Sequence, residues 1–138
     1  MNYFTLLGQP VSKARPRVTR THTYTPQKTI DYENAIKTEY LRRYREVITS
    51  KIHMNIRAFM KIPKSTNKKD KVDMLSGDIR PTKRPDIDNI LKIVLDGLNG
   101  VAYTDDSLVV SASVSKWYSD APRLEVEIIW ESGRGEME

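Results

Sequence analysis

Alternation of period two and apolar stripes of period 3.6 divide the chain into strands and helices. Residues 2–7 (NYFTLL) read as a short strand that stops at Gly8-Gln9-Pro10, a turn signal. In the following VSKARPRVTR, Lys13, Arg15 and Arg17 recur at the strand period and would share one face, while Pro16 confines the segment to an edge or a surface arm. Thr25-Pro26 predicts a helix start, with a capping hydroxyl before proline at the first helical position. Tyr32, Ala35, Ile36, Tyr40 and Tyr44 then supply the stripe of a helix over about 26–46. In residues 51–62, Ile52, Met54, Ile56, Ala58 and Met60 face one way and Lys51, His53, Asn55 and Arg57 the other, as in a half-buried strand.

Residues 63–85 are polar, rich in lysine and punctuated by Pro63, Gly77, Pro81 and Pro85, which predicts a long loop that orders on binding. A second helix is expected over about 87–99, where Ile87, Ile90, Leu91, Val94, Leu95 and Leu98 form a continuous stripe and Asn99-Gly100 provides the stop. Two strands, roughly 108–117 and 123–131, are joined by the short Ser119-Asp120-Ala121-Pro122 and read as an antiparallel hairpin. The order β-α-β-α-β-β predicts one α+β domain over 1–131, a mixed sheet packed against two helices, followed by a polar tail at 132–138.

At 138 residues the chain is long enough for one domain with a real core. It has no cysteine, which excludes a disulfide scaffold, a thiolate metal site and a cysteine nucleophile, and fits a reducing compartment. No apolar run approaches the ~20 residues of a membrane helix, and the N-terminal apolar stretch is too short for a signal peptide core. A soluble, cytoplasmic protein without a membrane partner is expected. The net charge of +5 is unevenly spread: residues 1–85 carry 19 Lys/Arg against 7 Asp/Glu, a balance of +12, and residues 86–138 carry 4 against 11, a balance of −7. A basic half suits a polyanion such as nucleic acid, and an acidic half concentrates oxygen ligands for hard divalent cations. Charges that merely solvate a small protein would produce the same totals. His22 and His53 have no partners at metal-ligand spacing.

The stretch RPDIDNILKIVLDGLNGVAYTDDS, residues 84–107, carries the candidate chemistry. Asp86 and Asp88 open the second helix, and Asp105 and Asp106 occupy a turn before the next strand. Carboxylates of this kind hold Mg²⁺, which takes only one or two of them besides water and substrate phosphate. Lys92 lies one turn beyond Asp88, where it would stabilise charge developing at a phosphorus. Simpler roles exist for each residue: Asp86 as a helix cap, Asp88–Lys92 and Lys92–Asp96 as i,i+4 pairs, Asp105-Asp106 as an ordinary turn. The spacing leaves open how the second pair of acids would reach the start of the helix.

The run P-D-I-D-N-I-L-K, followed by L-D-G-L-N-G and D-D-S, resembles the signature of the RusA-type Holliday junction resolvases, often carried by phages and prophages. The likeness extends to the early K-A-R-P-R segment, the long helix after Thr-Pro and the expected final hairpin. It implies a homodimeric, Mg²⁺-dependent endonuclease (with Mn²⁺ as a substitute) that resolves four-way junctions by paired symmetric nicks in DNA recombination and repair. The family motif's acids fall on Asp86, Asp88, Asp105 and Asp106, all metal ligands, with Asp86, Asp88 and Asp106 catalytic and Asp106 the essential member of its pair. The motif lysine falls on Lys92. The resemblance further implies that the Asp105-Asp106 turn lies beside the helix start. Lys13, Arg15, Arg17, Lys83 and Arg84 are the expected DNA contacts. Two alternatives share the sequence features: a branched-DNA-binding protein without catalysis, and a metal-dependent nuclease for another nucleic-acid structure.

Overall fold

The computed structural model describes residues 1–131; the expected tail at 132–138 lies outside the described residues. A four-stranded sheet runs in the order β1 (Asn2–Leu7), β6 (Arg123–Trp130), β4 (Ile52–Lys61), β5 (Val109–Ser119). Strand β4 pairs antiparallel with β6 and parallel with β5, and β6 pairs antiparallel with β1, so the sheet is mixed as expected. One face is covered by helices α1 (Gln27–Arg43) and α3 (Ile87–Leu98). Phe4, Ile36, Tyr40, Ile56, Ile90, Val94, Leu124 and Val126, all almost fully buried, fill the space between. The alternation in β4 is realised residue by residue: Met54, Ile56, Ala58 and Met60 are buried, and the residues between them point to the opposite, open face.

Three expectations are corrected. The final two strands do not form a hairpin: β4 lies between them, and the segment Asp120–Pro122 passes from one flank of β4 to the other. The supposed long loop contains a helix, α2 (Lys68–Ser76), which buries no residue. It is held instead by its ends, with the Asn67 side chain accepting from the Asp70 N–H and Gly77 turning left-handed at φ 89°. A side chain at Gly77 would also collide with the Trp117 ring, 3.0 Å from where a Cβ would stand. The first helix is capped by Pro26 without a side-chain hydrogen bond, so Thr25 does not serve as its cap. A two-stranded ribbon, β2 (Arg17–Val18) with β3 (Thr23–Tyr24), projects from the arm before α1.

Helices α1 and α3 approach closely at Gly97. A Cβ there would lie 3.1 Å from the Ile36 Cγ2 and 3.3 Å from the Glu33 carbonyl oxygen. Gly97→Val is therefore expected to cost about 2 kcal/mol through overpacking. Urea unfolding would show this as a lower midpoint at an unchanged slope.

Candidate active site

The apolar stripe of α3 docks the helix on the sheet through Ile90, Ile93, Val94 and Leu98 and leaves its entrance at the surface. Asp86 is the residue before the first turn, yet its side chain makes no capping hydrogen bond, so the carboxylate is not consumed by the helix. Asp88, in the first turn, is exposed and makes no ion pair among the described residues. Lys92 turns away from Asp88 and toward Asp96, 3.5 Å distant.

A cleft of about 680 Å³ opens beside Asp86, walled by Arg15, Arg17, Arg84 and Asn89. Three guanidinium groups around one free carboxylate suit a phosphate held next to a cation, because arginine presents paired donors to phosphate oxygens. Lys83 is exposed one residue farther out. The segment leading into α3 is held by Lys116 of β5, whose Nζ donates to the Lys83 carbonyl at 2.7 Å and the Pro85 carbonyl at 3.0 Å. Arg80 donates from Nε to the Lys116 carbonyl at 2.6 Å, with its guanidinium 3.3 Å from the centre of the Trp117 ring. Neither Lys116 nor Arg80 was singled out from the sequence. The available signal was Lys116 itself, a charge on the helix-side face of a strand whose other residues there are apolar or aromatic.

Lys13 does not join the arm. Its side chain is only 18% exposed and bridges Glu33 of α1 at 2.7 Å and Asp96 of α3 at 3.1 Å. Its backbone N–H donates to the Asn89 carbonyl at 2.9 Å, fastening the arm to α3. Burial on its own pulls the Lys13 pKa down, but the hydrogen bonds it donates to Glu33 and Asp96, with their negative charges, outweigh burial and hold the ammonium above its ordinary value. The stability it contributes is thus complete below the ordinary lysine value and is lost as pH rises through the higher folded value. Lys13→Met is expected to cost about 2 kcal/mol at neutral pH by leaving two acids without their cation. The gap to the wild type, followed by denaturant titration, should stay open through neutral pH and close only in strong alkali.

Asp105 and Asp106 lie at the other end of α3. After the helix the chain turns at Gly100, and Tyr103, fully buried, donates from its hydroxyl to the Leu95 carbonyl at 2.8 Å. Burial, then the charges of Asp106, Asp96 and Asp105, raise the Tyr103 pKa, which keeps the phenol protonated as that donor. A single 3-10 turn, Asp106–Leu108, leads into β5. Asp105 caps this turn by accepting from the Ser107 N–H at 3.0 Å. Hydrogen bonds from Ser107, through side chain and backbone, hold the Asp105 carboxyl below its ordinary range. Asp106 makes no such bond among the described residues.

The twelve residues of α3 span ~18 Å at ~1.5 Å per residue, so within one chain the two pairs of acids do not converge. Among the described residues, no group of three or more His, Cys, Asp or Glu side chains is arranged to hold a metal ion. The structure thus gathers Asp86, Asp88, Arg15, Arg17 and Arg84 at one end of the helix and places Asp105, Asp106 and the Lys92–Asp96 pair toward the other. No described helix is long and apolar enough to cross a membrane.

Comparison with known proteins agrees over nearly the whole domain. The family model described as endodeoxyribonuclease RusA matches residues 8–129. The uncharacterized protein YqaN of Bacillus subtilis (strain 168) is 38% identical over 132 residues, covering 91% of this chain and 93% of that protein.

Proposed function

From the premise that this chain belongs to the endodeoxyribonuclease RusA family, we propose that it resolves four-way DNA junctions by paired hydrolytic nicks, as a homodimer, in recombination and repair. The observation that carries this reading is the uncapped Asp86 carboxylate, with Asp88 one residue into the helix, opening on a cleft lined by three arginines. A nuclease needs this combination: cationic groups to seat the phosphodiester and anionic oxygens to seat a divalent cation beside it.

The donor set fits Mg²⁺, or Mn²⁺ in its place. It consists of carboxylate oxygens; no histidine lines the cleft among the described residues, and the chain has no cysteine. A hard cation takes one or two carboxylates while phosphate and water complete its shell. When bound, the metal supplies charge neutralisation at the phosphate and a lowered pKa for attacking water. Asp86 and Asp88 hold it from the α3 side. Asp105, tied to Ser107, and Asp106 stand at the far end of α3 and would complete the ligand set only across the proposed homodimer. Arg15, Arg17 and Arg84 bind the phosphate and its neighbours along the strand, with Lys83 as an outer contact. Lys13 supports this surface from beneath, through Glu33 and Asp96. Lys92 adds positive charge between the two groups of acids, and Lys116 keeps Asp86 in place by holding the carbonyl before it.

The test is cleavage of a labelled synthetic four-way junction against matched linear duplex, with Mg²⁺ and with EDTA. Symmetric nicks on the junction alone, abolished by EDTA, are expected. Binding without any cut, in Mg²⁺ or Mn²⁺, would replace the enzyme with a branched-DNA-binding protein. Equal cutting of duplex or of RNA would replace the substrate.

A further inference from the structure

We infer that a second pocket, beside the active-site cleft, takes a nucleobase adjoining the phosphate to be cut, and that Gln9 reads that base. The inference rests on reading the cleft at Asp86 as the place where a nuclease seats its phosphodiester.

The pocket holds about 440 Å³ and shares a wall with the cleft. Arg17, Arg84 and Pro85 line both cavities, whereas Asp86 lines the cleft alone. A nucleotide whose phosphate lies beside Asp86 therefore has the pocket next to it, with Pro85 in the dividing wall. The volume falls within the range of about 300–1,000 Å³ usual for small-ligand sites.

The lining selects a base over a second phosphate. Pro10 and Met60, both buried, and the half-buried Val11, Pro26 and Pro85 give the pocket apolar walls. Its charged groups, Arg17, Lys28 and Arg84, are exposed, and no acid lines it. A phosphate pressed against such walls would lose hydration without recovering it. A base is apolar on its faces and polar only at its edge, so the same walls suit it. A branch point can supply one, because extruding a base costs least where pairing is already disturbed.

The polar contact comes from Gln9. Gly8 turns left-handed at φ 105° and its N–H donates to the Pro122 carbonyl at 3.0 Å, which fixes where the Gln9 side chain begins. The Gln9 Oε1 accepts from the Lys61 N–H at 2.9 Å. That bond orients the amide: its oxygen is held at β4 and Nε2 is left to donate. Thr29, 1% exposed, holds another wall, its Oγ1 accepting from the Ala14 N–H at 3.4 Å. The usual glutamine contact to adenine needs Oε1 as an acceptor as well as Nε2 as a donor. With Oε1 engaged by the backbone, Gln9 selects a base carbonyl instead. Cytosine, thymine and guanine carry one; adenine carries none.

The test first maps the nicked phosphate of a synthetic four-way junction in Mg²⁺, then places each of the four bases in turn on either side of it. At one of the two positions, wild-type nicking is expected to be about tenfold slower with adenine than with the other three, the effect of one hydrogen bond left unmade. Gln9→Ala should level the four rates. Gln9→Glu keeps an acceptor for the Lys61 N–H but exchanges the donor for a second oxygen. Adenine, with an amino group and no carbonyl, should then rise above the other three. Rates are ranked within each variant, so a general loss of DNA affinity from the added charge cancels. Gln9 is exposed and lies outside every strand and helix, so both variants should melt with the wild type. Adenine nicked as fast as the other bases at both positions, or a base order that Gln9→Ala and Gln9→Glu leave unchanged, overturns the base pocket while the nuclease reading stands. The absence of any nick, in Mg²⁺ or Mn²⁺, overturns the nuclease reading and the pocket with it.

Discussion

Asp88→Asn is expected to lower junction nicking by about a thousandfold, some 4 kcal/mol of transition-state stabilisation, while the variant still folds and still binds the junction. The reasoning begins with what Asp88 does not do. It is exposed, in the first turn of α3, and joins no ion pair; Lys92, one turn on, is turned to Asp96. Replacing one carboxylate oxygen by an amide nitrogen leaves shape and packing unchanged, so stability should move by no more than about 0.5 kcal/mol, as for an ordinary surface change. What the substitution removes is the charge that a hard cation requires. Asp86→Asn should behave alike, because its side chain caps nothing. Asp105→Asn should differ, since that carboxylate is bonded to Ser107 and part of its loss will appear as a loosened turn. Gel-shift binding in Ca²⁺, paired with nicking in Mg²⁺, separates these outcomes. Nicking by Asp88→Asn at the wild-type rate would remove this carboxylate from the reaction.

The second large effect is on affinity. Substituting Arg15, Arg17 and Arg84 together with Ala should weaken junction binding about a hundredfold at 0.15 M salt. Each phosphate contact contributes roughly 0.9 to the slope of log affinity against log salt concentration. The slope should therefore fall by about 2.7 if all three cleft arginines touch phosphate. Arg15, Arg17 and Arg84 are exposed, so their loss should leave the fold intact. Fluorescence anisotropy across a salt series measures slope and affinity together. An unchanged slope would show that the DNA backbone does not enter the cleft beside Asp86. Lys68 and Lys69 on α2, though equally charged, lie outside that cleft and make a fitting control.

Much of this architecture was legible because local pattern decides it. The stripe Ile90, Val94, Leu98 could only be a helix with one buried face, and the alternation Met54 to Met60 could only be a strand. Strand adjacency is not local. Nothing in residues 109–130 announces that β4, some fifty residues earlier, inserts between β5 and β6. Helix α2 was missed because it buries no residue and so leaves no periodic trace, although its Asn67 cap and terminal Gly77 stood in the sequence. The acids at both ends of α3 were recognisable from spacing and family resemblance. Their separation was not, since it depends on how the chain leaves the helix: Tyr103 pins that exit at Leu95, far from Asp86. Lys13 was grouped with Arg15 and Arg17 because it shares their alternation, but its partners Glu33 and Asp96 come from two distant helices.

The bond from the Lys13 N–H to the Asn89 carbonyl makes the arm and the helix one mechanical piece. A flexible arm would have to freeze on meeting DNA, and its lost freedom would be subtracted from the affinity. Here the backbone at Lys13 is already seated on the helix, two residues before Arg15, so part of that ordering precedes the substrate and the arm acts as a ruler set against Asp86. The Lys13 amide proton is its natural gauge: shielded from solvent deuterium while the arm is seated, it exchanges only when the ruler lifts off the helix.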